Sequence, residues 1–350
     1  MTRFRPRLAR VAFAILAGFG LLSAYAKEPV TSDTKTYCVG RFLVDMPKEA
    51  EINGQTNKYM FGRIESEVSK IDAKDFEARM DKREAALKAI DPDEARSLKE
   101  AHGIGPSGRI LVTFENMFGA KDYGFEAYKL DHDRLFSLKY KNSLVGEDVF
   151  RSKVLNPVQR DLLPHLRVRQ PDEIPSEPGF CFENGFVADD ASHTQDEDAA
   201  IDFRFARWPD LAITVITSTV SKAGEESLLQ RVDSHPAPAA LAGKIKTLRR
   251  GVHQANGRQG EEILELMPAD GSFEQQHSFM WEAAGTKDHV LSPDLVVQFA
   301  SGTPLNGQAR RSALSDDDAI KLFDSIVNSI RLRPTSPAKV GSAEAVPQVH

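Results

Sequence analysis

One order of elements runs through this chain twice, and that repeat limits the fold more than any other feature. Each half opens with a cysteine on an apolar stretch, Cys38-Val39-Gly40-Arg41-Phe42-Leu43-Val44-Asp45-Met46-Pro47 in the first and Cys181 to Asp190 in the second. Strands are expected next at Lys58 to Glu65 and at Ile201 to Trp208, with a further one, rich in β-branched residues, at Leu211 to Val220. An amphipathic helix follows in each half. The first starts near Ala73 and lines up Phe76, Met80 and Leu87; the second, Ser221 to Ser234, lines up Leu228, Leu229 and Val232. Strands Arg109 to Glu115 and Glu261 to Leu266 come after glycine-containing turns. Two strand pairs then read as hairpins, Tyr123 to Leu130 with Leu135 to Tyr140, and Gln276 to Glu282 with Asp294 to Ala300. Each half closes on a helix. Pro157 should kink the first, Glu147 to Leu163. Ser315 caps the second, with Asp316, Asp317 and Asp318 in its first turn. The endings also match, His165-Leu166-Arg167-Val168-Arg169 against Ser329-Ile330-Arg331-Leu332-Arg333.

The expected fold is therefore α+β, built by internal duplication as two similar domains, each an antiparallel sheet covered by two helices. The first spans 27–169 and the second 180–333. Between them Gln170 to Gly179 holds three prolines and reads as a stiff linker, and the tail 334–350 has little to bury and reads as disordered.

The start of the chain has another character. Arg3, Arg5, Arg7 and Arg10 precede an apolar run from Val11 to Leu22, and Ala24-Tyr25-Ala26 then offers small residues at both positions that a signal peptidase reads. That run is shorter than the roughly 20 residues of a membrane span. Residues 1–26 are expected to be a cleavable secretory signal, leaving a soluble product with no integral membrane segment. The whole chain carries −6; losing four arginines and no acid leaves −10 over the remaining 324 residues. Such a chain is a poor match for nucleic acid or an anionic membrane and suits a basic partner better. Two cysteines do not make a disulfide scaffold, nor do they have metal-ligand spacing. An oxidising compartment permits a single Cys38–Cys181 bridge; two buried free thiols are the alternative.

No catalytic motif stands in a workable context. Gly105-Pro106-Ser107-Gly108 falls short of a nucleophile elbow because Arg109 replaces the last glycine. Gly103 to Gly108 spells G-x-G-x-x-G, but a helical segment is expected before it and a strand after it, the reverse of a dinucleotide site. His132, between Asp131 and Asp133, falls in an expected hairpin turn, and Trp208 and Trp281 fall in strand patterns. An acidic patch, Asp189, Asp190, Asp196, Glu197 and Asp198, surrounds His193. It lacks the spacing of a calcium loop and reads as a solvated loop, with contact to a basic partner as its second reading. No metal and no cofactor are expected.

Two elements carry a resemblance. Tyr37 to Pro47, Tyr-Cys-Val-Gly-Arg-Phe-Leu-Val-Asp-Met-Pro, and Glu173-Ile174-Pro175-Ser176-Glu177-Pro178-Gly179-Phe180-Cys181 together resemble the immunity proteins of bacterial type VI secretion lipase effectors, specifically those paired with the fourth lipase family. The resemblance covers nearly the whole chain after the signal. It implies a periplasmic protein of a Gram-negative cell whose partner is a cognate phospholipase effector. It also implies two domains that grip the lipase like a claw, hinder its lid and perform no catalysis. The matching motifs are strand starts and a linker, so no contact residue carries over. Domains packed about a pseudo-twofold axis would bring Cys38 and Cys181 together, and a bridge would then fix the claw's angle. Two other readings remain: an exported hydrolase with an unrecognised site, and a periplasmic lipid or small-ligand carrier with an apolar cavity.

Overall fold

The computed structural model describes residues 33–143, 145–221, 226–238, 241, 243–269, 275–302 and 311–336. The expected signal, residues 1–26, and residues 337–350 of the expected tail lie outside the described residues.

The first half begins with β1 (Thr34–Val39) and β2 (Phe42–Pro47), an antiparallel hairpin turning at Gly40-Arg41. Gly40 has φ +57°, and a Cβ there would lie 2.9 Å from Thr217 Oγ1, so both backbone and space require glycine. β3 (Ala50–Tyr59) and β4 (Ile64–Ser66) follow. Helix α1 (Ala73–Lys88) is capped by Asp72, whose carboxylate accepts the Asp75 N–H, and it buries Phe76, Met80 and Leu87. β5 (Ser97–Gly103), β6 (Gly108–Met117), β7 (Ala120–Asp131) and β8 (Arg134–Ser143) form an antiparallel sheet in the order β4-β8-β7-β6-β5. A helical run then starts as α2 (Glu147–Phe150) and continues through π-helical turns Arg151–Leu155 and Val158–Leu162 to a tight turn at Leu163–His165. Pro157, which has no N–H to donate, separates the two π-helical stretches. β9 (Leu166–Val168) ends the half.

The second half opens on the hairpin β10 (Gly179–Phe182) and β11 (Gly185–Ala188). β12 (Glu197–Phe205) and β13 (Ala212–Ser218) alternate buried with half-buried residues, the period-two pattern that the sequence also showed. Helix α3 (Leu228–Ser234) has a complete capping box between Ser227 and Gln230. Strands β14 (Lys246–Ala255), β15 (Arg258–Met267), β16 (Gln276–Ala283) and β17 (Asp294–Ala300) precede α4 (Asp316–Val327) and β18 (Arg331–Leu332). The large sheet runs β14-β15-β16-β17-β13-β12-β3, so its last strand comes from the first half.

The halves are also interleaved at their ends. β18 pairs with β2, placing Arg331 opposite Leu43 and Leu332 opposite Phe42. β9 pairs with β11, placing Arg167 opposite Phe186 and Val168 opposite Gly185. Each opening hairpin is thus completed by a closing strand of the other half. A disulfide joins Cys38 to Cys181 where the hairpins meet, and Gly40 and Cys181 exchange backbone hydrogen bonds of 3.2 and 2.8 Å beside it. The next arginine after each closing strand is buried among carbonyls. Arg169 donates to Glu173, Phe182 and Gly185, and Arg333 donates to Pro175, Glu177 and Gly179 of the linker. Arg167 and Arg333 also lie over the Phe186 ring. One continuous apolar core crosses both halves, from Phe125 and Phe136 through Phe180 and Phe203 to Phe279 and Phe323; a smaller one lies under α1. Burial of this kind is worth ~25 cal/mol per Å² of apolar surface.

The largest departure from the sequence reading is that the halves do not each keep their own sheet, because β3 pairs with β12 across the chain. Smaller details also depart. The segment before Gly103 is strand β5 rather than helix. The strand expected at Lys58 to Glu65 is the end of β3 and most of β4, separated by a turn at Met60. β14 was not anticipated. β5 and β14 are both edge strands, rich in charge and without apolar alternation, which is how sheets protect their margins and why the pattern hides them.

Candidate partner-binding groove

Two adjoining clefts of about 480 and 540 Å³ share Asp161, Asp189 and His193 and form one groove between the halves. Ser152, Lys153, Pro157, Arg160 and Asp161 of the helical run line one side, with Met60 and Phe61 from the turn after β3. The loop from Asp189 to Asp196 lines the other. Of the acidic patch singled out in the sequence, Asp189, Asp190 and Asp196 line the groove, while Glu197 and Asp198 do not.

The five acids of the patch divide into two kinds. Glu197 is buried and takes a bidentate pair from Arg41, Nε at 2.7 Å and Nη2 at 2.6 Å. Asp189 accepts the Tyr59 hydroxyl at 2.6 Å and the Gln195 amide at 2.7 Å, and it lies 3.1 Å from Arg41. Asp198 accepts the Ser218 hydroxyl across the β12–β13 pair. Asp189 and Glu197 tie the loop to Arg41, and Asp198 joins β12 to β13. Asp190 and Asp196 are exposed; Asp190 takes the Ser192 N–H at 2.9 Å, and Asp196 pairs with Lys58 at 3.0 Å. Exposed pairs of this type are worth about 0–1 kcal/mol, so Asp196 remains available to a partner.

The buried network is electrostatically uneven. Burial pushes Glu197 above the ordinary carboxylate range despite Arg41's two hydrogen bonds. Burial acts on Asp189 in the same sense, but Arg41, the Tyr59 hydroxyl and the Ala191 N–H outweigh it and hold that carboxyl below its usual range. Arg41, at the turn of the opening hairpin, thus ties β1–β2 to β12 and to the groove loop. Arg41, Tyr59 and Gln195 were not marked by the sequence reading. The one signal pointing to them is an arginine embedded in an apolar hairpin, Val39-Gly40-Arg41-Phe42, which has to find an acid somewhere.

Other clusters have structural explanations. Among the described residues His253, Glu262 and Asp324 offer ligand atoms within 4.8 Å of one another. Arg249 already binds both carboxylates, placing a guanidinium where a cation would sit. His277 presents Nε2 to Asp316 at 3.0 Å and Nδ1 to the hydroxyls of Ser301 and Ser312 at 2.9 and 3.1 Å, an acid–imidazole–hydroxyl set like a serine-hydrolase relay but with the two ring nitrogens exchanged. Its surroundings differ from such a site. His277 and Ser301 are buried, and Ser312 Oγ also accepts the Leu314 N–H. The N–H groups of Gly302 and Ala313, each following one of the serines, both go to Asp210. An oxyanion would find them taken. The set pins the start of α4 to β16. Trp208 and Trp281 are buried in the core, and His132 lies exposed in the β7–β8 turn.

Comparison with known proteins places these features in context. Residues 35–152 match the family described as Tle cognate immunity protein 4 N-terminal domain, and residues 173–335 match Tle cognate immunity protein 4 C-terminal domain. No curated protein matches. Among solved structures, the apo immunity protein TplEi of T6SS from Pseudomonas aeruginosa aligns over 87% of this chain and 99% of its own, with 29% identity and a TM-score of 0.71. The same protein complexed with an "L" peptide gives 0.68 at 29% identity over 86% of this chain and 99% of its own. A chain in the crystal structure of the Tle4-Tli4 complex gives 0.70 at 29% identity, over 87% and 98%.

Proposed function

Since the chain belongs to the family of Tle cognate immunity protein 4, we propose that it binds a phospholipase effector of type VI secretion and blocks it in the periplasm, sparing the cell's own membrane. The observation that carries this reading is the match of both domains, at 29% identity, to an immunity chain solved in the Tle4-Tli4 complex. The protein acts by binding and is not an enzyme, in keeping with an arginine across the carboxylate cluster and with the closed surroundings of His277. The signal-like residues 1–26 support a periplasmic address, because a toxin that attacks membrane phospholipid from outside the cytoplasm must be met there.

The interleaved ends support descent from two copies of one unit. Gly185 with Phe186 and Phe42 with Leu43 occupy equivalent places, as do Arg169 and Arg333. The groove between the halves, with exposed Asp190 and Asp196, is the proposed partner-facing surface, and the disulfide with the Arg41 network sets its width. Co-expression in a susceptible host tests this reading. The lipase directed to the periplasm lyses cells alone, and the full chain is expected to restore growth. Continued lysis with both proteins present at the periplasmic face contradicts it.

A further inference from the structure

Tyr59 is fully buried, yet its hydroxyl bonds to a surface loop rather than within the core. It is the last residue of β3, the first-half strand in the second half's sheet, and it pairs with Glu197 of β12. Its ring packs against Phe180, with centroids 5.3 Å apart. Phenylalanine would fill that space as well, and burying a hydroxyl is costly unless it is bonded. Here the hydroxyl donates to Asp189 Oδ2 at 2.6 Å and accepts from the Gln195 amide at 2.7 Å. That amide nitrogen also lies 2.7 Å from Asp189 Oδ2 and from Glu197 Oε1, which makes three acceptors for two N–H donors. The Tyr59 proton makes up the difference.

Both walls of the groove meet at this residue. Met60 and Phe61, which follow it, line one wall, and the Met60 N–H donates to the Asp196 carbonyl at 2.8 Å. The other wall is the loop from Asp189 to Asp196, which the Asp189 carboxylate organises from within. Its Oδ1 accepts the Ala191 N–H at 2.5 Å. Ala191 stands at φ +62°, a left-handed conformation that a residue with a Cβ keeps where its surroundings enforce it. Exposed Asp190 lies inside that turn, and exposed Asp196 ends the loop. Arg41 also faces Asp189, but it binds Glu197 of β12 as well, so its removal would disturb the sheet together with the loop. The Tyr59 hydroxyl acts on the loop more selectively.

We propose that Tyr59 is a positioning residue for the partner: through Asp189, its hydroxyl holds the loop in the shape that presents Asp190 and Asp196 along the groove. This proposal rests on the groove being partner-facing, as argued above. Tyr59 is too deeply buried to touch the partner; its part is to spare the complex the cost of ordering the loop.

Titration calorimetry of the purified cognate lipase against the chain lacking residues 1–26 tests it. Tyr59→Phe should bind at least about fivefold more weakly. Tyr128→Phe is the matched control. Its hydroxyl donates to Glu126 at 2.7 Å in the other sheet, and its loss should change affinity less than about twofold. Both variants should melt within a few degrees of the parent, since each gives up the hydrogen bonds of one hydroxyl. In Tyr59→Phe, amide exchange at Ala191 should quicken at least about tenfold while exchange in β12 stays unchanged, whereas a general loss of stability would quicken both. In an Asp190→Asn, Asp196→Asn double variant, adding Tyr59→Phe should weaken binding less than about twofold further, because its effect runs through those acids. Unchanged affinity in Tyr59→Phe, an equal loss in Tyr128→Phe, unaltered exchange at Ala191, or the whole loss repeated in the asparagine background overturns the proposal. An asparagine double variant that binds like the parent would refute the groove reading and the proposal with it. Absence of binding by the parent chain would refute the immunity reading itself.

Discussion

Arg41 shows how much of this structure depends on single residues far apart in the chain. It meets Glu197 across 156 positions, and both side chains are buried. Replacing Arg41 with alanine leaves Glu197 as a buried, unpaired carboxylate, a change that typically costs about 3–5 kcal/mol. The loss should depend on pH in a definite sense. Glu197's pKa is raised on folding, so its contribution to stability is complete below the ordinary carboxylate value and is lost as pH rises through the raised one. Asp189, whose pKa is depressed, behaves in the opposite way, and the parent chain partly cancels the two trends. Without Arg41 the cancellation fails, and urea denaturation should show a larger deficit at pH 7 than at pH 5. An equal deficit at both values would mean that Glu197 stays paired by another route. A second residue-scale prediction concerns Gly260. A Cβ there would sit 2.4 Å from Trp281 Nε1, whose indole N–H reaches the His253 carbonyl at 2.9 Å. Gly260→Ala should destabilise the fold by about 1–3 kcal/mol in the same assay, and an unchanged midpoint would contradict it. At this scale the sequence was readable for kind but not for partner. It marked Asp189 and Glu197 as a cluster, yet nothing local to either announces Arg41 or Tyr59.

The elements that join the halves make the next scale. The Cys38–Cys181 disulfide closes a loop of 143 residues, long enough for a bridge to stabilise by about 2–5 kcal/mol. Exported protein should show no free thiol by alkylation and mass measurement until it is reduced; two thiols in the native protein would contradict the structure. The Cys38→Ser, Cys181→Ser double variant should lose stability within that range. β2–β18 and β11–β9 pairing should keep it folded, as a cooperative melt at lower temperature would show. Most elements could be read from the chain because their faces are one-sided: α4 with Ser315 at its cap, β12 and β17 with alternating apolar residues. Those that could not be read are short or polar. β9 and β18 are three and two residues long, and only pairing with the opposite half gives them form. The transfer of β3 into the far sheet is a long-range choice that no window of sequence contains.

At the scale of the whole molecule, the family was legible before the geometry, through two stretches that the structure places together at the junction of the halves. Tyr37 to Pro47 forms the first hairpin, and Glu173 to Cys181 leads into the second, where Arg333 holds the linker's carbonyls. These motifs serve the junction that sets one half against the other. The proposed partner-facing groove was far less legible, because a groove is a product of packing. The central claim is that this chain neutralises a phospholipase by stoichiometric binding, and one titration reaches it directly. Phospholipid hydrolysis by the purified cognate lipase is followed while the chain lacking residues 1–26 is added. Hydrolysis should fall linearly to zero at one chain per lipase, with no hydrolysis by the chain alone. Undiminished hydrolysis at a several-fold excess of chain would contradict the claim.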